Sequence, residues 1–344
     1  MENKRFWEID LLKTIAIIGV IVIHVSAGRI GGEVGSVDWL GGHFWGTASR
    51  ASVPLFLLCS GALLLDPEHH LPTRKLWGKN FLRLLAALLV WAMAYEVYFL
   101  WQGGGLTAAG LVHAIKDVIL FHHQSHLYYL HIMLLVYAFL PVVRLMVEHG
   151  EKRQIEYALA LWFILGILYP TAKGFWPFTL LEGIPVQWRL NMTYAAIGYG
   201  LLGWYLRKWP LGRRSSAVLA LAGFGLVFGG TWLFSLRQGT LYQGFLEGMS
   251  LGVCLLAVGI YGLCTGSAAP SDRVQSGLAW CSKASFCIFL VHIFFLDQFR
   301  RRGWMLAETP AVLSVPLVSA VLLVCSGAVY AVLARVPVVK RWLI

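Results

Sequence analysis

The stretch Glu8-Ile-Asp10-Leu-Leu-Lys13-Thr-Ile-Ala-Ile-Ile-Gly-Val-Ile-Val-Ile-His24-Val-Ser-Ala27 decides the fold of this chain. As a helix rising ~1.5 Å per residue, it is long enough to cross a hydrocarbon core ~30 Å thick. Its spacing nevertheless places Asp10, Lys13 and His24 on one stripe. Because a charged side chain in a spanning helix costs at least ~2.5–3.5 kcal/mol, we expect this stripe to face a polar interior formed by other helices.

Two simpler interpretations compete with a functional stripe. A cleaved signal peptide also has an apolar run, here Thr14 to Ile23, followed by small residues, although the acidic Glu8 is unusual in such a leader. Alternatively, His24 only makes a hydrogen bond to a neighbouring helix near the outer membrane interface. In the functional interpretation, Lys13 lies near one side of the membrane and His24 roughly 16 Å deeper along the helix axis.

The composition indicates an integral membrane protein. Hydrophobic residues make up 58% and charged residues 13% of the 344 residues, and the mean hydropathy is +0.69. A water-soluble fold cannot cover that much apolar surface. The net charge of +11 comes from basic residues between apolar segments, which indicates membrane topology and an anionic or lipid partner rather than nucleic acid. The six cysteines lie in or beside apolar runs without metal-ligand or disulfide-framework spacing.

The fold class we predict is all-α, a polytopic membrane protein with about ten transmembrane helices in a single domain over residues 1–344. With the N-terminus inside, most inner segments are rich in Lys and Arg, whereas most outer segments contain few. The positive-inside rule therefore places both termini in the cytoplasm. Lys4 and Arg5 begin that inner series, and Arg300-Arg301-Arg302 is an outer exception that would anchor the interface or contact an acidic acceptor. The predicted spans are 8–27, 40–65, 80–101, 126–147, 155–173, 189–206, 216–236, 247–266, 277–298 and 311–334.

The outer connection from Gln102 to Ser125 has a glycine tract followed by Leu111–Phe121, a short amphipathic pattern. Such a helix suits a lid over a cavity that opens outward. An amphipathic helix that simply lies in the interface has the same pattern.

Four stretches, in order along the chain, carry a family resemblance. The first runs from Arg5 through Lys13 to His24, and a ten-residue spacer separates Lys13 from His24. The other three are Val53-Pro54-Leu-Phe-Leu-Leu-Cys-Ser60-Gly61-Ala-Leu-Leu-Leu65, Ser125-His126-Leu-Tyr-Tyr-Leu-His131 and Ser285-Phe-Cys-Ile-Phe-Leu-Val-His292. Together they resemble the membrane acyltransferase-3 family, integral-membrane O-acyltransferases of bacterial surface glycans. One departure concerns a basic-x-x-Arg pair, where this chain has Lys79-Asn80-Phe-Leu-Arg83.

The resemblance implies a cytoplasmic acyl-CoA donor, usually acetyl-CoA, which carries several phosphate charges. The cations predicted to bind it are Lys13, Arg74, Lys75, Lys79 and Arg83, because Arg and Lys both suit phosphate. They also fit ordinary positive-inside residues.

His24 is the candidate catalytic residue. The unperturbed pKa of histidine lies near neutrality, so the imidazole can act as a base towards a sugar hydroxyl. Two mechanisms stay open. His24 either deprotonates an acceptor that attacks the thioester directly, or takes the acyl group itself and passes it on.

The candidate acceptor-binding residues are His126, Tyr129, Ser285, His292 and Arg50. For the two histidines, an interhelical hydrogen bond is the alternative. Arg50 is expected to pair with a carboxylate, for which Glu96 is a candidate, or with an acceptor oxygen. His122, His123 and His126 are close in sequence but lack a carboxylate or cysteine partner, so we expect no metal site.

The sequence thus predicts an enzyme of the plasma membrane that moves an acetyl or other short acyl group to a hydroxyl of a surface or lipid-linked glycan. A secondary transporter or flippase is the first alternative, since intramembrane charges can also form a substrate path. A sensing or scaffolding membrane domain that binds no CoA is the second. The oligomeric state stays open.

Overall fold

The computed structural model describes residues 6–68 and 72–344, and all regular structure in these ranges is helical. Lys4 and Arg5 lie outside the described residues. The principal helices are α1 (Trp7–Ile30), α2 (Val37–Ala48), α3 (Ser52–Leu64), α4 (Thr73–Lys75), α5 (Leu82–Gln102), α6 (Ala108–Ile119), α7 (Tyr128–His149), α8 (Lys152–Phe163), α9 (Tyr169–Ala172), α10 (Met192–Lys208), α11 (Arg213–Gln238), α12 (Leu251–Thr265), α13 (Asp272–Arg301), α14 (Ala311–Leu333) and α15 (Pro337–Trp342).

Every predicted span is largely helical in the structure. Within the described ranges, eight helical segments are long and apolar enough to cross a membrane. The two remaining predicted spans correspond to α10, with 17 residues, and α12, with 15. Most of α10 is buried against α3 and α7. A helix surrounded by protein does not need the continuous apolar surface that lipid requires.

The predicted span 40–65 corresponds to the apolar segment Val37–Leu64, which is interrupted by a turn. A turn at Ser49-Arg50-Ala51 separates α2 from α3. The Ser52 hydroxyl donates a hydrogen bond to the Ser49 carbonyl at 2.6 Å, within this turn. Pro54 lies in the first turn of α3, where its missing N–H costs no helical hydrogen bond. The break leaves Arg50 near the middle of the Val37–Leu64 segment.

Glycine allows α3 and α10 to pack backbone against backbone. A Cβ atom at Gly61 would collide with the backbone of Gly200, and one at Gly203 would collide with the backbone of Leu58. Small residues at such crossings are typical of membrane helices, whose association depends on close van der Waals contact.

Helices α1 and α13 run side by side in the same direction. Asp10 and Asp272 line one pocket near the start of both helices, whereas the Arg300 guanidinium reaches the His24 carbonyl near their ends. We call the end of the bundle that holds Trp7 and Asp272 the N-terminal face, and the opposite end the far face.

At the far face, Arg29 links the end of α1 to α2 and to the loop before α14. Its guanidinium donates to the Asp38 carboxylate at 3.0 Å and to backbone carbonyls between Met305 and Thr309. The amphipathic helix predicted in the outer connection is confirmed as α6, which packs on α5 and buries Ala114 and Val118.

Candidate active site

Three histidines from distant parts of the chain form one cluster. The His24 ring on α1 lies with its centroid 5.2 Å from that of His292 on α13 and 6.4 Å from that of His126. The His126 and His292 centroids are 5.7 Å apart. His126 comes from the short 3₁₀ turn Ser125–Leu127 before α7. The sequence singled out each histidine separately, but no spacing could have shown that the three meet.

Backbone carbonyls fix the proton on His292. Its Nδ1 lies 2.7 Å from the Phe289 carbonyl oxygen and 3.2 Å from that of Ile288. Because a carbonyl can only accept, Nδ1 must carry the hydrogen, and Nε2 is left with a lone pair. Nε2 is buried and has no hydrogen-bond partner among the residues that the structure describes. The neutral ring therefore presents an acceptor nitrogen inside the cluster.

Tyr95 supports His126. Its ring meets His126 edge to face at 4.9 Å and stacks on Phe294 at 3.9 Å, while its hydroxyl donates to the Leu290 carbonyl at 2.8 Å. Both Tyr95 and His126 are buried. No motif marks Tyr95 or Phe294, so sequence reasoning missed this aromatic support.

Two arginines lie near His24. The Arg300 guanidinium donates to the His24 carbonyl oxygen at 3.1 Å, and Arg50 also lies within electrostatic range of the His24 ring. Glu96, one candidate for the partner of Arg50, makes no ion pair with Arg50 in the described ranges. The charged neighbours of Glu96 are instead Asp117 and His113.

A cavity of about 410 Å³ lies on the N-terminal side of the cluster. Two of the cations predicted to bind the donor, Lys13 and Arg83, line it together with Asn80, the residue at which the chain departs from the family pattern. Arg83 also donates a hydrogen bond to the Ile344 carbonyl. The other lining residues are Leu84, Tyr129, Met133, Tyr137, Ser282, Ser285 and Phe286.

The remaining predicted cations are placed differently. Arg74, Lys75 and Lys79 are exposed at the N-terminal face and do not line this cavity. Tyr129 and Ser285, predicted on the acceptor side, line the same cavity as Lys13.

An aromatic pair lies between the cavity and the histidines. The Tyr129 ring is 5.4 Å from the ring of Phe289. Phe289 in turn lies 5.7 Å from His126 and 6.2 Å from His292. Through these ring contacts, Tyr129 and Phe289 connect the lining of the cavity with the histidine cluster.

A second histidine contact lies beside the cluster. His123 Nε2 is 3.1 Å from His131 Nε2, so one ring donates to the other, and burial lowers the pKa of His123. His122 is exposed. Over residues 6–68 and 72–344, no group of three or more His, Cys, Asp or Glu side chains is arranged to hold a metal ion.

These observations define a polytopic helical membrane protein in which a buried histidine cluster adjoins a cavity lined by cations. Residues 6–333 match the family model described as an acyltransferase domain, so the chain belongs to the acyltransferase-3 family and is a membrane acyltransferase. The resemblance drawn from the four sequence stretches is thereby confirmed. Neither the curated proteins nor the solved structures contain a match to this chain.

Proposed function

We propose that this acyltransferase moves an acetyl or other short acyl group from cytoplasmic acyl-CoA to a hydroxyl of a cell-surface or lipid-linked glycan. The observation that carries the proposal is the order of the cavity, the aromatic pair and the histidine cluster along the bundle. A cavity with Lys13 and Arg83 opens on one side of the Tyr129–Phe289 pair, and the histidine cluster with His24 lies on the other. A polyanionic donor and a polar acceptor can then reach one site from opposite faces.

The donor would enter from the N-terminal face, which the proposal places in the cytoplasm together with both termini of a single plasma-membrane domain. Lys13 and Arg83 would bind phosphate oxygens, since charge-assisted hydrogen bonds to ionised oxygens are the strong ones. Tyr129 and Ser285 would line the path of the uncharged arm that carries the thioester. The exposed Arg74, Lys75 and Lys79 raise the local concentration of a polyanion at the mouth.

His24 would then act as the base. In direct transfer, His24 takes the proton of the acceptor hydroxyl, the oxygen bonds to the thioester carbonyl carbon, and the C–S bond breaks. The proton passes from His24 to the CoA thiolate, so acetylated acceptor and free CoA leave. In the relay alternative, a nitrogen of His24 attacks the thioester carbonyl carbon, the C–S bond breaks, and the CoA thiolate takes the proton that the acylated imidazole loses. The acceptor hydroxyl then attacks the acyl carbon, the C–N bond breaks, and the hydroxyl proton returns to His24. His126 and His292 would contact the acceptor from the far side of His24.

The test uses the full chain in lipid nanodiscs with acetyl-CoA and a bacterial envelope glycan fraction. We expect free CoA and acetylated glycan to accumulate together, and His24→Ala to abolish both without lowering the melting temperature. His122→Ala is the matched control, because His122 is exposed outside the cluster.

Two results would overturn the proposal. One is retained transfer by the His24→Ala variant. The other is substrate flux across the membrane without any CoA release, which would instead support a transporter.

A further inference from the structure

Arg50 has no anionic partner among the residues that the structure describes. It lies in the turn between α2 and α3, near the middle of the membrane-spanning segment Val37–Leu64. Its Nε atom is buried and has no hydrogen-bond partner, and no carboxylate in the described part of the chain pairs with its guanidinium. An ionised group at this depth is costly, so such residues normally pair or serve a function.

Other arginines of the bundle do have anionic partners. Three half-buried arginines near the ends of their helices each pair with a carboxylate. Each of them also donates a hydrogen bond to a backbone carbonyl. These pairs are Arg29–Asp38 at 3.0 Å, Arg144–Glu148 at 3.1 Å and Arg207–Asp66 at 3.8 Å. Arg50 differs from these three in having no carboxylate partner in the described part of the chain.

The titratable side chains that face Arg50 are His24, His43 and Tyr128. None of them has a carboxylate that could pair with the guanidinium. His43 is buried, and its Nε2 lies 2.9 Å from the Phe228 carbonyl oxygen, so the ring supplies no negative charge to Arg50. The carbonyl end of α2 contributes partial negative charge beside Arg50. That charge lowers the cost of burying the guanidinium but provides no hydrogen-bond acceptor for its N–H donors.

A second cation lies on the far side of His24. Arg300 donates to the His24 carbonyl, and the nearby Asp297 is taken by Arg301 at 2.7 Å. No carboxylate pairs with Arg300 in the described ranges. Two arginines thus lie close to His24, the half-buried Arg50 and the exposed Arg300, and neither pairs with a carboxylate in the described part of the chain.

We propose that Arg50, together with Arg300, binds an oxyanion carried by the acceptor, so that the acceptor is an acidic sugar or a sugar phosphate rather than a neutral glycan. A carboxylate and a phosphate share the geometry that an arginine fork recognises. The proposal rests on the proposed function, since it names the class of acceptor that His24 would deprotonate.

The experiment measures the binding of three probes to the full chain in detergent: glucose, glucuronic acid and glucose 1-phosphate. We expect at least one anionic probe to bind roughly tenfold or more tightly than glucose, as the loss of a charge-assisted hydrogen bond implies. The two anionic probes distinguish a carboxylate site from a phosphate site. Arg50→Gln should remove the preference, and Arg50→Lys should restore part of it because the charge returns without the fork.

Arg302→Gln is the control, since Arg302 contacts the Trp304 ring rather than the site. Equal binding of all three probes by the wild-type protein would overturn the proposal, and this comparison needs no variant to fold. So would a preference that survives in Arg50→Gln. Acetyl-CoA binding, measured in the same samples, separates the two ideas. If acetyl-CoA binds and no probe is preferred, only the acidic-acceptor inference fails, whereas absent acetyl-CoA binding counts against the proposed function.

Discussion

The rings of His24 and His292 lie 5.2 Å apart, and the Phe289 carbonyl oxygen, 2.7 Å from His292 Nδ1, determines which nitrogen of His292 faces the cluster with a lone pair. The hydrogen bond from Nδ1 to the backbone orients the neutral imidazole of His292. Carboxylates and carbonyls orient catalytic histidines in the same way. His292 Nε2 is therefore placed to accept a hydrogen bond from an N–H of His24 or from the O–H of an acceptor.

The first prediction concerns this pair. His292→Ala should lower kcat for acyl transfer by about 10²-fold or more, the order expected when proton transfer loses a positioned group. His292→Gln should recover part of the rate, because an amide oxygen can accept a hydrogen bond near the position of Nε2. The KM for acetyl-CoA should change little in both variants. A KM increase with unchanged kcat would contradict a role beside His24.

The second prediction concerns donor binding. Arg83→Gln should raise the KM for acetyl-CoA roughly tenfold, because a charge-assisted hydrogen bond contributes about 1.5–3 kcal/mol. Arg74→Gln is the control, since Arg74 is exposed at the same face but does not line the cavity. Arg74→Gln should change the KM for acetyl-CoA by no more than a few-fold. This change should disappear at high salt, which screens exposed charges. Equal effects of the two substitutions would show that only the overall charge of the face matters.

The all-helical membrane fold and the polar stripe of α1 follow from the sequence, because lipid demands long apolar helices and penalises Lys13 and His24 unless they face inward. The turn at Arg50 does not follow, since apolar residues flank it on both sides and Pro54 is compatible with a helix start. The histidine cluster depends on how α1, α13 and the turn before α7 pack. Tertiary contacts of that kind leave no periodic signal in one sequence.

The third prediction concerns the aromatic pair between the cavity and the cluster. Phe289→Leu should increase the release of CoA in the absence of acceptor, because a smaller side chain opens a path for water to the thioester. The ratio of CoA released to acyl group transferred is the measurement. Phe299→Leu is the matched control, since Phe299 packs on Trp304 at the far face. An unchanged ratio in Phe289→Leu would show that Phe289 does not separate the two compartments.

The fourth prediction concerns the network around Arg29, which links the end of α1 to Asp38 and to the loop before α14. Arg29→Ala should destabilise the protein by about 1–3 kcal/mol, since Asp38 Oδ2 and several carbonyls lose the guanidinium as donor. The measurement is the melting temperature in detergent. Arg302→Ala should leave that temperature nearly unchanged, because Arg302 is exposed and its guanidinium lies over the Trp304 ring. Similar shifts for the two variants would contradict a structural role specific to Arg29.

The fifth prediction concerns the crossing of α3 and α10. Gly61→Ala places a Cβ atom against the backbone of Gly200, which cannot move without separating the two helices. We expect a destabilisation of about 1–3 kcal/mol, as for other overpacked interiors. Gly225→Ala is the matched control, because no atom lies within 4 Å of a Cβ at that helical position. Alanine favours helix over glycine by up to ~1 kcal/mol, so the control should be neutral or stabilising. A melting temperature for Gly61→Ala equal to that of Gly225→Ala would mean that α3 and α10 do not pack this closely in the membrane.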